Sequence, residues 1–190
     1  MRIVAGQWRG RALDSPAGLE HRPTQERVRE AVFDALGARL PGARVVDLYA
    51  GSGAMGLEAL SRGAAGAVFV EAAPAALGAL EENIRTLGAA GLCRVVACDV
   101  FAFLEGRAGS DVEVDLLFAD PPYGTIDEAW LSRVVGASAI RWRAHATLVL
   151  ESSRREAPLH PHSGWRRWRD RSYGETRILI DVRESHDAED

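Results

Sequence analysis

Two short stretches carry the residue types that could do chemistry. Asp120-Pro121-Pro122-Tyr123 is one, and Asp47 with the small-residue run Ala50-Gly51-Ser52-Gly53-Ala54 is the other. In the first, two prolines remove two backbone donors and stiffen the turn, so carbonyls are left facing outward. Asp120 and the Pro121 carbonyl then form an acceptor pair for the two hydrogens of an exocyclic amine. Holding both hydrogens aims the nitrogen lone pair at an electrophile, and Tyr123 offers a ring face on which an extruded base can stack.

The second stretch is a ligand cradle. Glycines allow close backbone approach, and a helix N-terminus after the turn presents unpaired N–H groups. Gly51, Gly53 and Gly56 also fit the G-x-G-x-x-G spacing of dinucleotide sites, with Glu71 further along as the acid. A pyrophosphate at this turn would be repelled by Asp47. A nucleoside carrying a cationic group suits the acids better: Glu71 for ribose hydroxyls, Asp99 for an adenine amine, and Asp47 beside a sulfonium-bearing tail.

Alternating elements must position these groups. Strands are expected at 44–47, 67–71, 94–98, 114–119 and 147–151, with helices after the first four, the third of these short, around 101–104. A helix precedes them, with Thr24 as N-cap, Val28, Val32, Ala35 and Leu36 as its apolar stripe, and Arg27 and Arg29 off that stripe and exposed. Residues 165–169 and 177–182 suggest an antiparallel pair closing the sheet. The alternation implies a mostly parallel α/β sheet covered on both faces. Right-handed crossovers bring Asp47, Glu71, Asp99 and Asp120 to one edge, at the carboxyl ends of the strands.

Composition limits the alternatives. The 190 residues suffice for one domain, and 47% hydrophobic with 26% charged content is ordinary for a soluble protein. No membrane span or signal peptide is read, so a cytoplasmic location is expected. Cys93 and Cys98 fit no metal or redox spacing, and arginines around His160-Pro161-His162 oppose a cation, so no metal is expected. The net charge is −4, yet residues 1–44 hold 8 arginines against 5 acids, and a second cluster runs from Arg154 to Arg171. Residues 2–13 read as a basic β-hairpin. Arg2, Trp8, Arg9 and Arg11, with Arg22, Arg27 and Arg29, form a candidate RNA-contacting set. The expected division is a basic extension over 1–22, a catalytic domain over 23–183 and an acidic tail over 184–190.

With RIVAGQWRGRAL, RPTQERVREAVFDAL, DLYAGSGAMGLEALSRGA, FADPPYG and the late YGET, the chain resembles the RsmD family of small-subunit ribosomal RNA guanine-N2-methyltransferases. That resemblance implies the class I S-adenosylmethionine-dependent methyltransferase fold, with a mostly parallel seven-stranded sheet and an N-terminal β-hairpin. It implies cofactor contacts at Asp47, Gly51, Gly53, Glu71 and Asp99, with Ala50, Ser52 and Asp120 included in the set. It assigns the base amine to Asp120, Pro121 and Tyr123, with Pro122 completing the catalytic turn. The substrate implied is small-subunit ribosomal RNA or a late assembly particle, and the enzyme is expected to act as a monomer. The rival readings are a DNA adenine-amine methyltransferase and an NAD-dependent oxidoreductase. The first usually carries a larger recognition domain; the second leaves 120–123 unexplained and lacks a catalytic Tyr-Lys pair, since the chain has no lysine.

Overall fold

Short β-branched runs separated by small-residue turns build one seven-stranded sheet; its central strands β1 and β4 and the second half of β5 are mostly buried, whereas β3 and β6 at the edges are largely not. The computed structural model describes residues 1–15, 23–107, 111–122, 124–157 and 159–184, with 23–25 described by backbone only. Arg22, Tyr123 and residues 185–190 of the acidic tail therefore lie outside the described residues. The strands are β1 (Arg44–Leu48), β2 (Gly66–Glu71), β3 (Cys93–Ala97), β4 (Val112–Ala119), β5 (Ile140–Ser153), β6 (Trp165–Tyr173) and β7 (Thr176–Arg183). The helices are α1 (Pro23–Leu36), α2 (Ala54–Ser61), α3 (Pro74–Leu87), α4 (Val100–Leu104) and α5 (Glu128–Val135).

Strand order is β3-β2-β1-β4-β5-β7-β6. The first five strands run parallel, and β7 pairs antiparallel with both β5 and β6, so the sheet is mixed. The order reverses between β1 and β4, the place where ligands bind in open α/β sheets. Two apolar clusters cover the faces. Val28, Val32 and Phe33 of α1, Leu57 of α2 and Leu80 of α3 pack on one face. Phe103 of α4 and Trp130 and Leu131 of α5 pack on the other.

Several expectations need correction. The first helix begins at Pro23, so Thr24 lies inside its first turn instead of capping it. A proline suits that opening position because its missing donor would go unused there. The fifth strand starts at Ile140, well before Thr147: a register shift between Val114 and Leu116 lets pairing continue, and Arg141 and Arg143 meet Glu113 and Asp115 on β4. Residues 1–13 do turn back on themselves, but through one antiparallel bridge, Arg2 to Ala12, and not as two strands. Ile3, Gly10 and Leu13 N–H bond across the turn to Arg11, Ile3 and Met1 carbonyls, while the N–H groups of its middle go to α2. Val4 and Ala5 donate to the Glu58 carboxylate at 2.7 and 3.0 Å, and Trp8 donates to the Ser61 hydroxyl at 3.0 Å.

Candidate active site

Side-chain alternation along each strand decides which acids share a face. Val45, Phe69, Phe118 and Val149 all belong to the cluster under α1 to α3. Two residues further on, at or just past the carboxyl ends, stand Asp47, Glu71, Asp120 and Glu151. Adjacent registers, Leu48 with Val70 and with Ala119, and Ala119 with Leu150, set the four ends side by side. Asp99, just past β3, extends the row. Sequence reading named four of these acids and missed Glu151. The rule that found the others, an acid closing a strand, applied to it as well.

The turn after β1 is fixed by these acids. Asp47 is buried and its Oδ2 accepts the Gly56 N–H at 2.9 Å. Glu71 Oε2 accepts the Gly51 N–H at 2.8 Å, while its Oε1 takes Ala72 and Ala73 N–H at 2.8 and 2.7 Å. Gly53, at φ 80°, caps α2, and a Cβ there would lie 2.4 Å from Leu80 Cδ1. A Cβ on Gly56 would lie 2.3 Å from a Phe69 ring carbon. The glycine spacing is thus a packing requirement as much as a ligand one. Ala50 is buried, and its carbonyl accepts the Gly53 N–H at 2.7 Å. The Ser52 hydroxyl points toward the Met1 sulfur and its carbonyl accepts from Asn83 at 2.9 Å. Asp99 caps α4, its Oδ1 accepting Phe101 and Ala102 N–H.

Uncompensated charge is the electrostatic signature of this edge. Burial pushes the Asp47 carboxyl up to about 8; the Gly56 N–H opposes the rise, and the charges of Asp120 and Glu71 add to it. Asp120 keeps an exposed edge, yet the protein packed around it raises its pKa as well. Glu151 is raised by burial first and by the charge of Asp120 second, with the Thr176 hydroxyl opposing. Among the described residues, no cationic side chain stands among the causes of these three shifts. Carboxylates held so close without a counterion fit a cationic ligand, the sulfonium nucleoside anticipated above. Among the described residues, no group of three or more His, Cys, Asp or Glu could hold a metal ion.

Pro121 is buried and Pro122 exposed. The loop after them is held from the far side: Glu156 accepts the Gly124 N–H at 2.5 Å. Of the proposed RNA set, Arg2, Arg9, Arg11 and Arg27 are exposed. Arg2 pairs with Glu26, and Arg11 donates to the Thr86 carbonyl. Arg2, Arg9 and Arg27 line a cleft of about 400 Å³ between residues 2–10 and α1. Trp8 is half-buried against the core. Arg29 overturns the expectation: it is 5% exposed, donates to the Arg2 carbonyl at 2.5 Å and lies 3.7 Å from Glu58. Residues 1–5 pack over this flank of α1, which periodicity within the helix could not show.

The reversal of strand order, the tight glycine turn and the row of acids define the class: a methyltransferase of the class I S-adenosylmethionine-dependent fold. Residues 1–181 match the family model described as Conserved hypothetical protein 95, and the chain belongs to that family, the RsmD methyltransferases. It is 44% identical over 130 residues to Ribosomal RNA small subunit methyltransferase D of Escherichia coli K12, covering 67% of this chain and 64% of the relative. The match thus spans a little under two thirds of that protein's length. The Haemophilus influenzae protein of the same name is 29% identical over 92% of this chain and 89% of its own. Among solved structures, yhhF from Escherichia coli superimposes with a TM-score of 0.83 at 35% identity, covering 97% of this chain and 98% of that one.

Proposed function

We propose that this protein transfers a methyl group from S-adenosylmethionine to the exocyclic N2 amine of a guanine in small-subunit ribosomal RNA. The observation that carries the reading is the adjacency of β1 and β4. Leu48 pairs with Ala119, so the glycine turn and the Asp120-Pro121 acceptor pair leave neighbouring strands at the same edge. The names of the Escherichia coli and Haemophilus influenzae relatives, ribosomal RNA small subunit methyltransferase D, support the same substrate.

Bound at the turn, S-adenosylmethionine supplies an electrophilic methyl group on a sulfonium. Asp47, Glu71 and Asp99 provide the negative field and the acceptors that hold it. Asp120 and the Pro121 carbonyl take the two amine hydrogens and turn the nitrogen lone pair toward the methyl, and Tyr123 stacks on the base. Once methylated, the nitrogen sheds one proton, and Asp120, with its raised pKa, is placed to accept it. The basic extension over 1–22 and Arg27 serve as the RNA grip; of its described part, Ile3 and Leu13 pack in the cluster under α1 to α3, the face the acids share. The work is cytoplasmic and the active unit a monomer.

Labelled S-adenosylmethionine, incubated with small subunits, assembly particles, naked ribosomal RNA and duplex DNA, tests this reading. Label in N2-methylguanine, at one position mapped by primer extension, is the expected product. Label in DNA adenine would replace this reading with its rival.

A further inference from the structure

Two features have no role in the reaction as described: Glu151, and the late motif Tyr173-Gly174-Glu175-Thr176. Across the sheet the acids come in the order Asp99, Glu71, Asp47, Asp120, Glu151, on β3, β2, β1, β4 and β5. The first three stand on the cofactor side and the fourth at the amine. Glu151 stands one strand beyond the amine, away from the cofactor, where the rest of the base must lie. It shares a face with Asp120, one position past the Ala119–Leu150 pair. Glu151 opposes Ile178 on β7, which makes Thr176 its diagonal neighbour on that face. The Thr176 hydroxyl donates to Glu151 Oε1 at 3.5 Å, steadying the carboxylate and leaving Oε2 for a ligand.

We propose that Glu151 reads the base: its carboxylate accepts the N1–H of the guanine whose N2 amine is held by Asp120 and Pro121. This rests on the guanine reading above. An ionised carboxylate only accepts hydrogen bonds, and a cation bound beside the acid row favours that form of Glu151 against the burial that raises its pKa; guanine is the base whose Watson–Crick edge offers a ring N–H beside an amine. Three donor hydrogens on that edge match the two adjacent acids and one carbonyl. Adenine carries an acceptor at N1 and would set a lone pair against the Glu151 oxygen. A site built to bond a particular N–H rejects analogues lacking it far more strongly than shape alone allows. Thr176 is then a positioning residue, which gives the late motif a purpose.

The test compares RNA carrying guanine at the mapped position with RNA carrying 2-aminopurine there, which keeps the 2-amine but has an acceptor at N1. Single-turnover transfer is measured for the wild type, Glu151→Gln, Thr176→Val and Thr176→Ser. The amide of Glu151→Gln can turn its N–H toward N1, so the guanine preference should collapse by about tenfold to a hundredfold. Thr176→Val should erode it less, and Thr176→Ser, which keeps the hydroxyl, should preserve it. S-adenosylmethionine affinity and melting temperature, followed alongside, report on folding. An unchanged preference in folded Glu151→Gln overturns the inference. If that variant does not fold, an unchanged preference in Thr176→Val does so. Failure of the wild type to methylate guanine overturns the guanine reading and this inference with it, whereas transfer with an unaltered preference overturns this inference alone.

Discussion

The carboxylate of Glu58, buried on α2, accepts the backbone N–H of Val4 at 2.7 Å, and so ties residues 1–13 to the helix that follows the glycine turn. The same carboxylate pairs with Arg62 at 2.8 Å and lies 3.7 Å from Arg29. Removing one partner of a buried ion pair leaves the other charge uncompensated, at a cost of about 3–5 kcal/mol. Glu58→Ala should therefore lower the melting temperature sharply. RNA affinity should fall more than S-adenosylmethionine affinity, because the basic segment loses its anchor. Equal melting curves for the two proteins would show that this anchor is not structural.

Arg9 and Arg27 line the cleft beside Arg2 and are exposed. Changing both to Ala should leave melting temperature and cofactor affinity nearly unchanged. RNA or particle affinity should drop, and the slope of log affinity against log salt should flatten by about 1.4 to 1.8, the value for two lost phosphate contacts. A salt series on both proteins measures this. An unaltered slope would assign these arginines to the solvated surface.

Proton linkage follows from Asp47. Its folded pKa of about 8 stands above the ordinary value of 3.8, so the folded state holds a proton that the unfolded chain has released. Between those two values the stability of the ligand-free protein should fall as pH rises, Asp47 opposing folding more at each step. A bound cation favours the ionised acids, so binding should expel protons in that window and affinity should climb toward pH 8. Calorimetry in buffers of different ionisation heat reads the released protons. Asp47→Asn should reduce both effects, and binding of S-adenosylmethionine with no proton release at pH 6 to 7 would remove the acid row from the cation's environment.

Asp99 caps α4 and, on the proposed reading, also takes the adenine amine, two duties that substitution can separate. Asp99→Asn keeps an oxygen to cap α4 but removes the charge facing adenine, whereas Asp99→Ala removes both. Loss of an N-cap costs about 1 kcal/mol and loss of a charge-assisted hydrogen bond about 1.5–3 kcal/mol. Only Asp99→Ala should lower the melting temperature, and both should weaken cofactor binding in calorimetry. Wild-type affinity in either folded variant would take Asp99 out of the site.

Elements governed by local backbone demands were legible in the sequence. Gly53 and Gly56 meet tight packing and turn requirements that few residues satisfy, and Pro121 and Pro122 cannot continue a strand. The alternation from β1 to α5 followed from apolar runs and the small residues between them. What depended on remote neighbours was not legible. Arg29 is buried because residues 1–5 pack over α1 and Glu58 lies beneath, a contact across 29 positions of sequence. The early start of β5 at Ile140 rests on the register shift near Asp115, whereas Glu151 closes the expected strand 147–151 and was within reach of the same rule as the other acids. Asp99 as a helix cap and Glu71 as a clamp on Gly51 are local bonds that acids at strand ends could have suggested.

The central claim is that Asp120 holds the amine that receives the methyl group, and Asp120→Ala tests it most directly. Cofactor affinity by calorimetry should stay within a few-fold, since the glycine turn and the acids of β1 to β3 remain. Single-turnover transfer to small subunits should fall by about a thousandfold or more, the loss expected when an interaction serving the transition state is removed. Transfer by the folded variant at near the wild-type rate would contradict the account.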